Sequence, residues 1–174
     1  MEHSTKKLGM MFTLGGWILG FLLLGLVFSK ILDFRNNPNQ FVSSEAGPGY
    51  SDIVLKRNPS GHYLFTGEIN GRKVTFLVDT GATTTAIPAS LKNDLGLQAG
   101  PAFDVSTANG IATAYLTRID ELKMGDMLLR DVSASLNPGM HGNEVLLGMN
   151  ILKHLELIQK NDELVIRFPD RTRQ

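Results

Sequence analysis

The chain has 174 residues, and its 17 Lys and Arg are balanced by 17 Asp and Glu, so its formal net charge is zero. This balance excludes a strongly basic nucleic-acid binder, and we expect no nucleic-acid partner. Hydrophobic residues make up 43% of the chain and charged residues 20%, which excludes an intrinsically disordered protein. Because the sequence has no Cys, it also excludes disulfides, thiolate metal sites and cysteine nucleophiles.

The N-terminal region contains an apolar segment that is long enough to cross a membrane. Between Lys7 and Lys30 the sequence has 22 residues without a charge, and a bilayer core requires roughly 20 such residues in a helix. We predict an N-terminal tail over 1–7 and a transmembrane helix over 8–29 that contacts membrane lipid. A cleaved signal peptide is the competing interpretation, but its apolar core spans only about 7–15 residues.

The sequence gives only a weak indication of how this helix is oriented in the membrane, because basic residues flank both of its ends. A short tail carrying Lys6 and Lys7 is easier to leave in the cytoplasm than to translocate, so we expect the C-terminal part to lie outside the cytoplasm. Gly16 and Gly20 form a small-xxx-small pair that would allow two such helices to approach closely, although Gly is also common in membrane helices.

The remainder of the chain divides into a linker and one compact domain. Residues 30–60 are dominated by Asn, Pro, Ser and Gly without periodicity, which predicts a flexible linker. Residues 61–168 provide enough chain for one core, and 169–174 are predicted as a C-terminal tail.

Within the domain, β-branched and aromatic runs alternate with turn residues. Strands are predicted over 62–69, 73–78, 103–107, 111–116, 122–124, 127–132, 144–148, 157–158 and 164–166. Hairpin turns are predicted at Asn70-Gly71, Ala108-Asn109-Gly110, Gly125-Asp126 and Asn161-Asp162. Short helices are predicted over 88–95 and 149–155. Short strands at this spacing indicate an all-β sandwich or barrel rather than βαβ units.

The most informative segment for chemistry is Leu77-Val78-Asp79-Thr80-Gly81-Ala82, in which an apolar strand delivers an Asp at its end. The Gly two residues later allows the chain to turn sharply. An ordinary turn Asp that hydrogen-bonds the backbone just after it would show the same three residues, so the motif alone leaves both interpretations open.

In its wider context, this segment resembles the active-site motif of retropepsin-like aspartic proteases. Ser106-Thr107-Ala108-Asn109-Gly110 lies where that family has its flap, and Val145-Leu146-Leu147-Gly148 is similar to its second motif of apolar residues and a Gly. The resemblance covers about residues 60–168 and is greatest to the membrane-anchored bacterial members. One departure is Met149, since retroviral members usually have an Arg directly after the second Gly, and the dimer contacts of that Arg do not carry over.

The resemblance implies a retropepsin-like closed β-barrel or sandwich with short helices and an aspartic endopeptidase activity. Such enzymes use two facing carboxylates that share a proton, and this chain has a single Asp-Thr-Gly. A homodimer that contributes Asp79 from each chain would complete the pair, with Thr80 bracing the two loops and Gly81 permitting their approach. Peptide or protein substrate would contact Ala82 and the residues of the flap. Those flap residues are Thr107, Ala108, Asn109 and Gly110.

The resemblance also implies a single-pass protein of the bacterial inner membrane with its protease domain on the periplasmic side. A retropepsin-like dimer that binds peptides or partners without hydrolysing them is the alternative function. We expect no cofactor and no metal, because no pair of His has the spacing of a zinc-binding helix. There is also no Gly-x-Ser-x-Gly serine nucleophile motif, no phosphate-binding loop and no dinucleotide-binding motif.

Overall fold

A computed structural model describes residues 2–107 and 110–169 of the protein. The chain divides after Asn36 into two compact units. The described residues of the first unit form one helix, α1 (Glu2–Asn36), which is longer at both ends than the predicted span 8–29. It ends two residues before Pro38, because a residue that precedes proline disfavours the α conformation. Within α1, the span Phe12–Asn36 has the length and apolar composition needed to cross a membrane, a test that signal sequences also pass.

The second unit is built almost entirely of strands. Its strands are β1 (Ser44–Gly47), β2 (Tyr50–Lys56), β3 (Leu64–Ile69), β4 (Arg72–Val78), β5 (Thr85–Pro88), β6 (Ala102–Thr107), β7 (Gly110–Met124), β8 (Met127–Asn137), β9 (Glu144–Leu147), β10 (Glu156–Lys160) and β11 (Glu163–Pro169). A 3-10 turn (Ala89–Leu91) and one short helix, α2 (Met149–Leu152), complete it. Both predicted helices, over 88–95 and 149–155, are thus shorter than expected.

Seven of these strands form a sheet in the order β3-β4-β9-β5-β8-β7-β6. A further pairing of β3 with β7, at Glu68 with Lys123 and Ile69 with Leu122, closes six of the strands into a barrel. The pairs β4–β9 and β5–β8 are parallel. The predicted all-β, closed-barrel fold is therefore confirmed.

The barrel encloses a core of large apolar side chains that are fully buried. Phe65 and Phe76 stack with their ring centroids 5.2 Å apart. The other members of the core with almost no exposed surface include Ile69, Ile87, Ile119, Leu122, Met124, Leu136 and Leu147. These residues alternate with more exposed ones along their strands, as expected for strands that face a core on one side.

The three predicted hairpin turns outside the flap are confirmed. Strand pairing continues up to the turn in each case, at Ile69 with Arg72, Met124 with Met127 and Lys160 with Glu163. Asn70 and Gly71 have φ angles of 50° and 74°, and two successive positive values are characteristic of the turns that match the twist of a hairpin.

Four strands form a second, antiparallel sheet in the order β1-β2-β11-β10. Here the structure differs from the predicted flexible linker over 30–60, because β1 and β2 lie within it. β2 pairs with β11 along all seven of its residues, and it buries Ile53 and Leu55 with 1% and 0% of their surface exposed. The surrounding Asn, Pro, Ser and Gly masked this alternation in the sequence.

The segment between α1 and β1 is also part of the second unit. Asn39 is buried, its amide donates to the carbonyls of Lys56 and Leu64 at 2.9 and 2.6 Å, and its side-chain oxygen accepts from the Lys56 N–H at 2.8 Å. This side chain joins the end of β2 to the start of β3, so the ordered domain begins well before the predicted boundary at residue 61. The predicted C-terminal tail over 169–174 begins inside β11, and 170–174 lie outside the described residues.

Candidate active site

Asp79 lies directly after the last residue of β4, where that strand leaves the barrel. The Asp79 N–H donates to the Leu147 carbonyl at 3.1 Å, which extends the contact with β9 by one residue, and the preceding Val78 N–H donates to the Tyr63 carbonyl at 3.0 Å. The Asp79 side chain is half-buried. The strand therefore places the Asp79 carboxylate at the edge of the barrel. Backbone hydrogen bonds to Tyr63 and Leu147 fix the end of the strand on its two sides.

The Asp79 carboxylate also organises the turn that follows it. Its Oδ1 accepts a hydrogen bond from the Gly81 N–H at 2.8 Å, and its backbone carbonyl accepts from the Ala82 N–H at 3.2 Å. A Cβ at residue 81 would lie 3.2 Å from Oδ1, in tight contact, whereas the φ of Gly81 is outside the positive range. Glycine is therefore favoured at position 81 because the carboxylate approaches it closely. The hydrogen bond between the carboxylate and the backbone just after it is the one expected of an ordinary turn Asp.

The loop over residues 79–84 rests on the junction between β9 and α2. The Met149 N–H donates to the Ala82 carbonyl at 2.7 Å, and the Asn150 N–H donates to the Thr83 carbonyl at 3.0 Å. Gly148 packs against this loop so closely that a Cβ there would lie 2.5 Å from the carbonyl carbon of Thr84. The Met149 contact uses only the backbone, so a Met in place of the retroviral Arg leaves it intact.

Sequence reasoning missed Asn150, whose side chain connects three elements. Its Oδ1 accepts hydrogen bonds from the N–H and the hydroxyl of Thr85, at 2.8 and 3.0 Å, and its amide donates to the Ser133 carbonyl at 2.8 Å. Thr85 is fully buried and lies 65 residues away in the chain. Because the partners are so distant in sequence, no local pattern could have revealed this residue.

The predicted site residues fall into two groups on different elements. Asp79, Thr80, Gly81 and Ala82 share one turn, in which Thr80 and Gly81 are exposed. The flap residues belong to the β6–β7 hairpin, in which Thr107 pairs with Gly110, while Ala108 and Asn109 lie outside the described residues.

The described parts of the chain, residues 2–107 and 110–169, contain no group of three or more His, Asp or Glu side chains that could hold a metal ion.

Comparison with known proteins identifies the family. Residues 65–154, more than half of the chain, match the family model described as "gag-polyprotein putative aspartyl protease". The chain belongs to the retropepsin-like aspartic protease family. A retropepsin-like aspartic protease from Rickettsia conorii has the same fold, with a TM-score of 0.57 and 22% identity over 74% of this chain and 94% of that one.

Three other proteins are also similar to parts of this chain. An uncharacterized Sinorhizobium protein from the cobV 5′ region is 33% identical over 68% of this chain, and the match spans only 53% of its own length. An uncharacterized protein of Rickettsia prowazekii strain Madrid E is 26% identical over 89% of this chain and 70% of its own. The equine infectious anaemia virus (EIAV) protease bound to the inhibitor HBY-793 aligns with a TM-score of 0.46 and 19% identity, over 57% of this chain and 92% of that one.

Proposed function

We propose that this member of the retropepsin-like family is a membrane-anchored aspartic endopeptidase. It hydrolyses peptide bonds with a water molecule activated by two Asp79 carboxylates, one from each chain of a homodimer. The observation that carries the proposal is the half-buried Asp79 at the end of β4, on a loop that is hydrogen-bonded by the backbone of Met149 and Asn150 and packed against Gly148. A catalytic group requires this rigidity, because small errors in its position reduce the rate strongly.

Two carboxylates are needed because the two halves of the reaction use opposite protonation states. One ionised carboxylate takes a proton from the attacking water, and a protonated one donates a hydrogen bond to the peptide carbonyl. Two like charges held close together cannot both ionise readily, so the pair shares one proton. The sequence has a single Asp-Thr-Gly, so the second carboxylate comes from a second copy of the chain across a twofold axis.

The other predicted site residues also have roles in this homodimer. Thr80 and Gly81 are exposed on the loop, as residues that meet a partner across the axis must be in the isolated chain. Ala82 and the flap residues Thr107, Ala108, Asn109 and Gly110 contact the substrate, and the flap closes over it to exclude water.

The helix α1 anchors the enzyme. Its span Phe12–Asn36 is apolar, and the described side chains of α1 are exposed, as expected for a helix whose surroundings are lipid. We propose a single-pass protein of the bacterial inner membrane, with the protease domain on the periplasmic side. Confinement to one plane raises the effective concentration of the second chain.

The function is tested by Asp79→Asn in the full chain, dispersed in detergent and given an unfolded protein as substrate at several acidic pH values. The amide is isosteric but cannot accept the proton of the water, so hydrolysis should fall by at least about 10²–10⁴-fold with the fold unchanged. Asp120→Asn is the matched control, because Asp120 is an exposed carboxylate on β7. Equal hydrolysis by wild type and Asp79→Asn would remove Asp79 from the mechanism.

The shared site is tested by dilution. Without α1, chains must first associate in solution, so the rate of residues 37–174 should rise with the square of protein concentration and then become linear. The full chain in vesicles should keep its specific activity on dilution. Constant specific activity of the soluble fragment, at concentrations where it sediments as a monomer, would contradict the shared dyad. Binding of a transition-state peptide inhibitor without any hydrolysis by wild type would instead favour a non-catalytic peptide-binding module.

A further inference from the structure

The four-stranded sheet presents an outer face that contributes nothing to the core. Ile53 and Leu55 on β2, and Leu164 and Ile166 on β11, are buried against the barrel. Because successive side chains of a strand point to opposite faces, the residues between them form the outer face. Val54 on this face has 37% of its surface exposed.

Three adjacent strands present the same pattern on this outer face, an aliphatic residue with an acidic residue on one side and a basic residue on the other. The three triplets are Asp52, Val54 and Lys56 on β2, Glu163, Val165 and Arg167 on β11, and Glu156, Ile158 and Lys160 on β10. Within each triplet the residues are two positions apart, so all three side chains share the face.

The strand register aligns the triplets into three rows. Val54 pairs with Val165, and Val165 with Ile158, which gives a central aliphatic row. The same register gives one charged row with the signs plus, minus, plus, and another with the signs minus, plus, minus. The first row is Lys56, Glu163 and Lys160, and the second is Asp52, Arg167 and Glu156.

The second charged row is held in place by its own contacts. Arg167 donates two hydrogen bonds to the Asp52 carboxylate, at 2.8 and 2.9 Å, and its guanidinium lies 4.0 Å from the centre of the Tyr50 ring. Another guanidinium nitrogen lies 3.7 Å from the Glu156 carboxylate. On the edge strand β1, Glu45 pairs with Asp52 and extends this row by one acidic residue. The charge pattern is thus an ordered feature of the surface.

We propose that this face binds the same face of a second copy, about a twofold axis that runs along the central aliphatic row. This rotation places each strand over its own copy in the reverse direction, so the basic end of every triplet lies over the acidic end of its counterpart. Glu163 then meets Arg167 of the second copy, and Lys160 meets its Glu156. A twofold axis parallel to the strands would instead place like charges together, so the pattern selects one orientation.

This contact consists of other residues than the Asp79 loop and supplements the active-site dimer. Three aliphatic side chains fall far short of the roughly 800 Å² per partner that a stable soluble complex buries. The contact therefore depends on the high local concentration that the proposed membrane anchor provides, and in this respect it rests on the proposed function.

A single introduced cysteine at the centre of the face detects the contact directly, because the sequence has no native cysteine. Val165 lies on the proposed axis, so Val165→Cys in the full chain, reconstituted in phosphatidylcholine vesicles, should form a disulfide-linked dimer under mild oxidation. Leu128→Cys is the matched control, an exposed aliphatic strand residue on β8 outside this face. Cross-linking of Val165→Cys no greater than that of the control would overturn the proposal.

A charge swap tests the orientation. In the Val165→Cys background, Lys160→Glu places Glu over Glu156 of the second copy, and Glu156→Lys places Lys over its Lys160. Each variant alone should lower association by about tenfold, and a one-to-one mixture should regain cross-linking through mixed pairs. An ordinary solvated sheet surface predicts no effect of either variant and no rescue. Both exchanges retain the three residues of the central row, Asp52 and Arg167, and only Glu156→Lys removes the contact of Glu156 with Arg167.

The outcomes separate this contact from the proposed function. Flotation of the vesicles reports anchoring, and peptide hydrolysis reports the Asp79 site, both independently of cross-linking. If the chain does not float, the same cross-linking and rescue pattern must appear at raised concentration in detergent. A mixture of the two charge variants that shows no rescue would refute self-association through this face.

Discussion

The contact between Gly148 and the loop over residues 79–84 gives a prediction for both stability and the proposed activity. Gly148 has φ −92° and ψ 177°, an extended conformation that any residue can adopt, so alanine there costs no backbone strain. Its Cβ, however, would lie 2.5 Å from the carbonyl carbon of Thr84, 2.7 Å from the Thr84 oxygen and 2.8 Å from the nitrogen of Thr85. All three atoms belong to the backbone and cannot rotate away.

The size of the effect follows from this overlap. Carbon atoms in contact are separated by about 3.5 Å or more, so Gly148→Ala must push the loop by roughly 1 Å. Overpacking of this kind costs about 1–3 kcal/mol of unfolding free energy. For a domain of this size the Tm should fall by about 3–12 °C. Since the same displacement moves Asp79, hydrolysis well below the Tm should fall by about 10²-fold.

Thermal unfolding followed by circular dichroism and hydrolysis at a fixed low temperature measure the two effects on the full chain. Gly139→Ala is the control, because its Cβ would lie 3.3 Å from the side-chain oxygen of Asn137 and meets no backbone atom at shorter range. A Gly148→Ala protein with wild-type Tm and wild-type rate would refute the idea that this contact fixes the loop. A lowered Tm with an unchanged rate would show that the contact supports the fold but not the position of Asp79.

Three further predictions concern the second sheet and the segment before it. Asn39→Ala should lower the unfolding free energy by about 2–3 kcal/mol, measured by urea titration, because it leaves strand groups at a buried site without partners. For the same reason residues 37–174 should be more stable than residues 50–174, which lack this side chain and β1; equal midpoints in urea would contradict it. The hydrogen bonds from Arg167 hold the pKa of the Asp52 carboxyl below its ordinary value, so this ion pair stabilises the fold above about pH 4 and the contribution is lost as the carboxyl protonates below that. Asp52→Asn should therefore flatten the loss of stability in acid, and an unchanged acid profile would show that the pair is not responsible for it.

Much of the candidate site was predictable because it is local in the sequence. The strand that ends at Val78, the Asp that follows it and the glycine whose N–H reaches the carboxylate are all within a few residues of one another. The hairpin turns at Asn70-Gly71 and Gly125-Asp126 were equally local, since their backbone conformation depends mainly on the turn residues themselves. Short β-branched and aromatic runs separated by turn residues similarly predicted an all-β fold.

The sequence alone thus predicted most strands of the barrel, their hairpin turns and the candidate residue Asp79, because these depend on neighbours along the chain. Only the tertiary structure decided which strands pair and which contacts hold the loop over residues 79–84. β2 joins β11 through residues more than 100 positions apart, as at Asp52 and Arg167. The composition around β2 had predicted a linker there. The Asn150 side chain accepts a hydrogen bond from Thr85, which lies 65 residues earlier in the chain. Such contacts form only when the tertiary fold brings distant segments together, so the short-range pattern of the sequence does not record them.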